Sequence, residues 1–262
     1  MKMKSKWNIF AALCAVALPA VCISLATAQS SDAKEKPPMY AYIANWQIPR
    51  ANWGEMSKRV DATKGILDKA MADGTLIGYG DDENLVHEAD GWTQDNWWNS
   101  TSVAGLVKVL DQVRSASSGG ASSPLDSATK HWDYVFVSHY YNWHPGPYKN
   151  GYVRVASYKL KNDAPDGAIE LIAKNLVVPV LEKELAEGTI IEYEIDEQFI
   201  HSTAPGTFSI VWVCPNAESI DKAYAAVQAG MKAQPLGGPA FASMVDYSAH
   251  RDELTRGNGT FK

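Results

Sequence analysis

The sequence is short of cysteine, of histidine, of positive charge and, past its first 25 residues, of long apolar runs. Its three cysteines are Cys14, Cys22 and Cys214, and the first two lie in a segment that reads as an export signal. Cys214 is then the one thiol left, so no intramolecular disulfide framework is available. A lone thiol of this kind is expected to be buried and inert, with intermolecular pairing as the alternative. Lys and Arg number 24 against 30 Asp and Glu, for a formal charge of −6. That balance disfavours nucleic acid or an anionic membrane surface as a partner. After Leu25 no apolar run reaches the roughly 20 residues that a spanning helix needs. H-E-x-x-H, paired C-x-x-C, the P-loop and G-x-S-x-G are all missing, which argues against the common zinc, nucleotide and serine-hydrolase sites. No metal set and no cofactor is expected.

The N-terminus has the three parts of a cleavable secretory signal. Lys2, Lys4 and Lys6 lead, an apolar stretch from Ile9 to Leu25 follows, and Ala26-Thr27-Ala28 offers small residues before Gln29. The sequence therefore predicts a signal peptide over 1–28 and a periplasmic or secreted product. An uncleaved anchor, or lipidation at Cys22, is the competing reading. Cleavage removes three lysines and takes the formal charge to about −9. Residues 29–38 read as a flexible leader.

The rest divides into two stretches of the same order, 39–150 and 151–262. In the first, alternation predicts a strand over 40–48 and helical spacing a helix over 53–72, capped at Asp73-Gly74. Strands over 76–85 and 92–98, a helix from 103, a Ser/Gly-rich linker over 115–130 and a strand over 135–141 follow. Residues 142–151, with Pro145-Gly146-Pro147, read as the loop between halves. The second half predicts strands over 152–160, 189–195, 207–213 and 241–245, helices over 165–186 and 216–231, a turn-rich link over 235–239 and a polar tail over 251–262.

The repetition is also visible in residues. Ile66-Leu67-Asp68-Lys69-Ala70-Met71-Ala72-Asp73-Gly74-Thr75 runs parallel to Val180-Leu181-Glu182-Lys183-Glu184-Leu185-Ala186-Glu187-Gly188-Thr189. The same offset places His87 on His201 and Trp98 on Trp212, and a shorter one places Tyr141 and His144 on Tyr247 and His250. Each half therefore reads β-α-β-β-α-β, an α+β order that gives a four-stranded antiparallel sheet with both helices on one face. Two such sheets in one chain can bury each other's open faces. In this the chain resembles the dimeric α/β-barrel superfamily, which includes antibiotic-biosynthesis monooxygenase-like, EthD-like and NIPSNAP-like families. It looks most like exported members with two repeats. The resemblance covers about residues 39–250 and implies two tandem ferredoxin-like units forming an intrachain barrel.

Candidate catalytic residues are His87 and His201, which a pseudo-two-fold axis can bring to one cavity, and Tyr141. Structural hydrogen bonds in a repeated loop explain the same residues more simply. Asn45, Trp46, Trp98, Tyr158 and Trp212 are candidate ligand contacts, although an ordinary aromatic core is the plainer account of most of them. His139 shares a strand face with Val137 and Tyr141, and His131 precedes that strand. Glu192, Glu194 and Asp196 share a strand face and read best as an exposed polar sheet face, although three carboxylates could also bind a cation, and Asp81-Asp82-Glu83 reads as a solvated turn.

Two functions follow. One is binding of a small apolar or aromatic ligand in a barrel cavity. The other, implied by the resemblance, is a cofactor-independent monooxygenase or an isomerase-like enzyme on an aromatic or polyketide-like compound. Haem-degrading relatives pair a first-strand asparagine with a tryptophan and use a helix histidine as the iron ligand. Asn45 and Trp46 suit the first part, but neither 103–113 nor 217–231 contains a histidine, so haem degradation is not expected. Export also makes dependence on NAD(P)H less expected.

Overall fold

The computed structural model describes residues 35–56, 63–117, 124–202, 204–234 and 236–262. The signal-peptide reading lies outside the described residues. Of the leader, Lys36 is tied to the fold: its amide donates to the His139 carbonyl and its Nζ to Asn142.

The first half runs β1 (Met39–Gln47), a short helix α1 (Trp53–Met56), α2 (Lys64–Asp73), β2 (Gly78–Asn84), β3 (Gln94–Ser100), α3 (Val103–Ser117) and β4 (Lys130–Trp143). The second runs β5 (Gly146–Leu160), α4 (Ala168–Ile172), a π-turn (Ala173–Val177), α5 (Val178–Ala186), β6 (Glu192–Gln198), β7 (Thr207–Cys214), α6 (Ala217–Ala233), α7 (Gly237–Met244) and β8 (Val245–Phe261). Pro179 explains the π-turn before α5, since it has no amide hydrogen for the preceding turn. Gly74 and Gly188 take the left-handed conformation, φ 80° and 73°, that ends both repeated helices. Asn216 caps α6 by accepting from the Ser219 amide at 3.0 Å.

The strands close into one antiparallel barrel in the order β1-β3-β2-β8-β5-β7-β6-β4. Each half contributes a ferredoxin-like sheet, β4-β1-β3-β2 and β8-β5-β7-β6, and the seams are β2–β8 and β4–β6. The chain thus has the α+β intrachain dimeric α/β-barrel fold. Closure leaves neither sheet with a free edge.

The helices pack on the outside. Leu181, Leu185, Ile190, Tyr193, Phe208 and Trp212 anchor the outer core of the second half. Tyr42, Ala44, Leu67, Leu76, Trp98 and Leu106 anchor that of the first. Cys214 belongs to the former core, 1% exposed, and burial pushes its thiol up to about 12. Alkylation of the native protein at pH 8 is expected to leave Cys214 unmodified, whereas unfolding in denaturant should make it react fully; rapid native labelling would contradict this placement.

Three expectations fail from residue 142 onward. Residues 142–151 are not a loop: β4 runs to Trp143 and β5 starts at Gly146, leaving a tight hairpin at His144-Pro145. The glycine at 151 reflects close packing instead, because a Cβ there would meet the Tyr148 ring at 2.8 Å. Residues 241–244 are helix rather than strand. The polar tail over 251–262 is the barrel-closing part of β8, paired to β2 and β5. Its inward positions after Thr255 are Gly257, Gly259 and Phe261, so the apolar alternation that marks a strand is absent there.

Candidate functional site

Strand alternation sorts every barrel residue to one of two faces. Tyr40, Tyr42, Ala44 and Trp46 of β1 pack toward the helices, so Ala41, Ile43 and Asn45 turn inward. By the same register Asp82, Asp95, Trp97, Tyr134, Glu192, Glu194, Asp196, Val211, Val213, Glu253 and Thr255 point into the barrel. Glu192, Glu194 and Asp196 are therefore not on an exposed sheet face, and Asp82 is not on a solvated turn. A closed sheet buries one face of every strand, including the polar one.

The interior is acidic. Asp82 and Asp95 sit side by side on β2 and β3, and the Asp82 amide donates to Asp95 Oδ1 at 3.0 Å. Trp97 Nε1 donates to Asp82 Oδ2 at 3.2 Å. Ser138 donates to Asp196, its cross-strand neighbour. Among the described residues no lysine or arginine pairs with Asp82, Asp95, Glu192, Glu194, Asp196 or Glu253. Burial, with the charge of Asp81 added, pushes Asp82 up to about 7. Burial likewise pushes Asp196 up to about 7. Asp95, Glu192 and Glu194 are raised well above the usual carboxyl range, first by burial and then by each other's and their neighbours' charge. Tyr148 is raised by burial and by Asp82, Glu192 and Asp95.

Several interior polar atoms have no protein partner: Asn45 Nδ2, Asp82 Oδ1, Tyr148 OH and Glu192 Oε1, while the Thr255 hydroxyl interacts with Asp82 and the Glu194 carboxyl with Asp196. Of the unpartnered residues, Asn45 is 3%, Tyr148 8% and Glu192 2% exposed. Each such atom costs about 1–3 kcal/mol unless something bonds it. One end of the interior is closed by Tyr148, Trp97, Trp143 and Phe261 over Val153 and Val213.

The residues singled out in the sequence do not assemble into one site. His87 is exposed and stacks on Trp53 at 4.4 Å. His201 is exposed at the equivalent loop after β6, and β2 and β6 lie diametrically opposite in the ring of eight strands. Tyr141 is near the other end of the barrel, where its hydroxyl donates to the Pro37 carbonyl at 3.0 Å. Trp46, Trp98, Tyr158 and Trp212 all face the helices, in two separate outer cores. Of the eight, Asn45 faces the acidic interior, and Tyr141 lies on the same inner face, directly opposite Glu194 of β6 and stacked on Trp143.

The repeat also aligns differently at its last strand. His131 stacks on Trp46 at 3.7 Å and His250 on Tyr158 at 4.3 Å. Each Nδ1 meets a first-strand carbonyl, of Asn45 at 2.9 Å and of Ser157 at 3.0 Å. Each Nε2 lies 3.2 Å from a carboxylate, Asp133 and Asp252. His131 and His250 are thus the equivalent pair. Tyr141 and His144 do not match Tyr247 and His250, and the Nε2 of His144 meets the Leu185 carbonyl instead. The offset that pairs His87 with His201 also pairs Asp82 with Asp196, the fifth residues of β2 and β6. That was the signal available for the interior site. A hollow of about 480 Å³ lined by Gly65, Ile66, Lys69, Asp111, Gln112 and Ser115 lies on the outer face instead, between α2 and α3.

No family model and no curated sequence matches this chain. Its fold is similar to that of solved structures at low identity. A protein from Fusobacterium nucleatum provisionally described as a monooxygenase aligns with TM-score 0.57 and 9% identity, over 87% of this chain and 95% of that one. One from Lactobacillus acidophilus, described in the same way, aligns with TM-score 0.55 and 12% identity, over 85% and 94%. An anthrone oxidase-like protein aligns with TM-score 0.51 and 9% identity, over 85% and 92%. At such identity the likeness establishes the fold and leaves the site to be read from this chain's own residues.

Proposed function

We propose that this chain is an exported small-molecule-binding protein whose ligand lies inside the barrel and brings hydrogen-bond donors to its carboxyls. The observation that carries this reading is the set of buried, unpartnered polar atoms inside the barrel, in which acceptors outnumber donors. An eight-stranded barrel has room for packed side chains or for one small ligand. The expected ligand is polar, in contrast to the apolar or aromatic one suggested by the aromatic count, because those rings pack against the helices.

Native mass spectrometry of the protein purified from its own cell envelope tests this. A bound small molecule is expected, and it should be lost when Glu192→Gln and Asp82→Asn are combined. A ligand-free spectrum, with ordered waters on all these atoms in a crystal, would overturn the reading.

Proton transfer in an isomerase-like reaction is the second reading. It is favoured by Asp82 and Asp196, which are held at about 7 and so can both give and take a proton near neutral pH. The described likenesses add the monooxygenase class only through the fold. Conversion of the bound molecule during incubation, abolished in Asp82→Asn, would select catalysis over binding.

A further inference from the structure

The interior acids are not scattered. They form two groups, on opposite walls. One is Asp82 and Asp95 on β2 and β3, with Glu253 on the adjoining β8. The other is Glu192, Glu194 and Asp196 on β6. In the closed ring β2 and β6 are four strands apart either way. Val153, Val155, Val211 and Val213 of β5 and β7 separate the groups on one side. Ala41, Ile43, Tyr134 and Phe136 of β1 and β4 separate them on the other. Asp82 and Asp196 occupy equivalent positions of the two repeats, so they stand at matching heights across the pseudo-two-fold axis.

Resting on the binding reading above, we infer that the barrel interior is built for an α,ω-diammonium compound, an aliphatic chain with a protonated amine at each end. Each ammonium brings three donors and a positive charge. One end meets Asp82 and Asp95, the other Glu192 and Asp196, and the methylenes lie along the valine walls. The two-fold likeness of the site matches the likeness of the two ends. Tyr148 OH, buried and unpartnered, lies within electrostatic reach of Asp82, Asp95 and Glu192 and offers a further acceptor. A single metal ion fits less well: among the described residues no three His, Cys, Asp or Glu side chains come together as a ligand set. A buried ion pair gains Coulomb attraction but must offset the desolvation of both charges, which here falls to the several acceptors around each ammonium.

The unaltered protein is titrated calorimetrically with 1,4-diaminobutane, 1,5-diaminopentane, 1-aminobutane and 1,4-butanediol. A diamine is expected to bind at least about 10-fold more tightly than the monoamine, since a second charge-assisted contact is added. The diol should not bind. Asp82→Asn and Asp196→Asn should each reduce diamine affinity to the monoamine level, and both together should abolish it. Amides resemble the protonated carboxyls, so folding should survive, and circular dichroism checks it.

Affinity should rise from pH 5 to pH 8, with protons released on binding, because the ligand favours the ionised carboxyls. The titratable groups around Asp82 are Asp95, Glu192 and Tyr148 inside the barrel, with Glu253 next to Asp95 and Asp81 adjacent on the chain, and those around Asp196 are Glu192 and Glu194, with Glu197 adjacent on the chain, so several protons are involved. Equal affinity for monoamine and diamine, or equal binding of the diol, would overturn the two-headed assignment. Failure of every amine while native mass spectrometry still finds another bound molecule would overturn this inference and leave the binding reading standing. Failure of both would sink both.

Discussion

Unfolding free energy is expected to fall as pH rises from about 4 through about 7, the reverse of ordinary acid denaturation. The sign follows from proton counts. Asp82 and Asp196 start from the ordinary value of 3.8 and are held near 7 in the folded chain. Between those limits the folded chain keeps protons that the unfolded chain gives up, so the unfolded state binds fewer and stability declines with pH. A shift of that size corresponds to on the order of 4 kcal/mol for each carboxyl. Asp95, Glu192, Glu194 and Glu253 are shifted the same way. Asp68, Asp73, Asp90 and Asp246 are held below their ordinary value, the first by Lys64 and the last by Ser248, and they favour the folded chain as pH rises from the acid side. The optimum should therefore lie near pH 4 to 5, roughly where the two sets cross. Denaturant melts at closely spaced pH values measure this. Asp82→Asn with Asp196→Asn should flatten the decline, and an undiminished slope in that double variant would show that other groups cause it. A ligand carrying positive charge should also flatten it, by holding the same carboxyls ionised.

Gly257→Ala is expected to destabilise the fold by about 3 kcal/mol or more, lowering Tm by about 6 to 12 °C. A Cβ at Gly257 would collide with the Asp82 carboxylate and with the backbone oxygen of Asp81. A flexible side chain can move away, but a backbone oxygen in the β2–β8 ladder can move only if the seam opens. That seam is one of the two that join the halves into a barrel. Gly238→Ala is the control, because nothing lies within 4 Å of its added Cβ and it sits inside α7. It should be neutral or stabilising by about 0.5–1 kcal/mol. Equal melting of the two variants would contradict the tight seam.

The repeated helix, acid-glycine stop and following strand were legible because local chemistry produces them. Apolar residues recurred at helical spacing around Leu67 and Leu181, and glycine was needed at Gly74 and Gly188 for the left-handed turn. The same local reading failed for β8. Its pairing partners β2 and β5 are far away in sequence, and its inward glycines carry no hydrophobic signal. It failed at residues 142–151 for a related reason, since Pro145 and Gly151 look like loop residues until the Tyr148 ring is placed over the strand.

The sequence by itself determined the β-α-β-β-α-β order, its duplication and therefore the fold, because these rest on short-range periodicity and on residues repeated at a constant offset. Which side of each strand became interior was decided only by tertiary closure. Alternation says that Asp82, Glu192, Glu194 and Asp196 share faces with their strand neighbours, but not whether those faces meet water or one another. Closing the barrel turned the acidic faces inward and the tryptophans outward to the helices. It also separated His87 and His201 to opposite sides and left Tyr141 at the other end. Burial then raised the carboxyls that the sequence presented as ordinary surface charge.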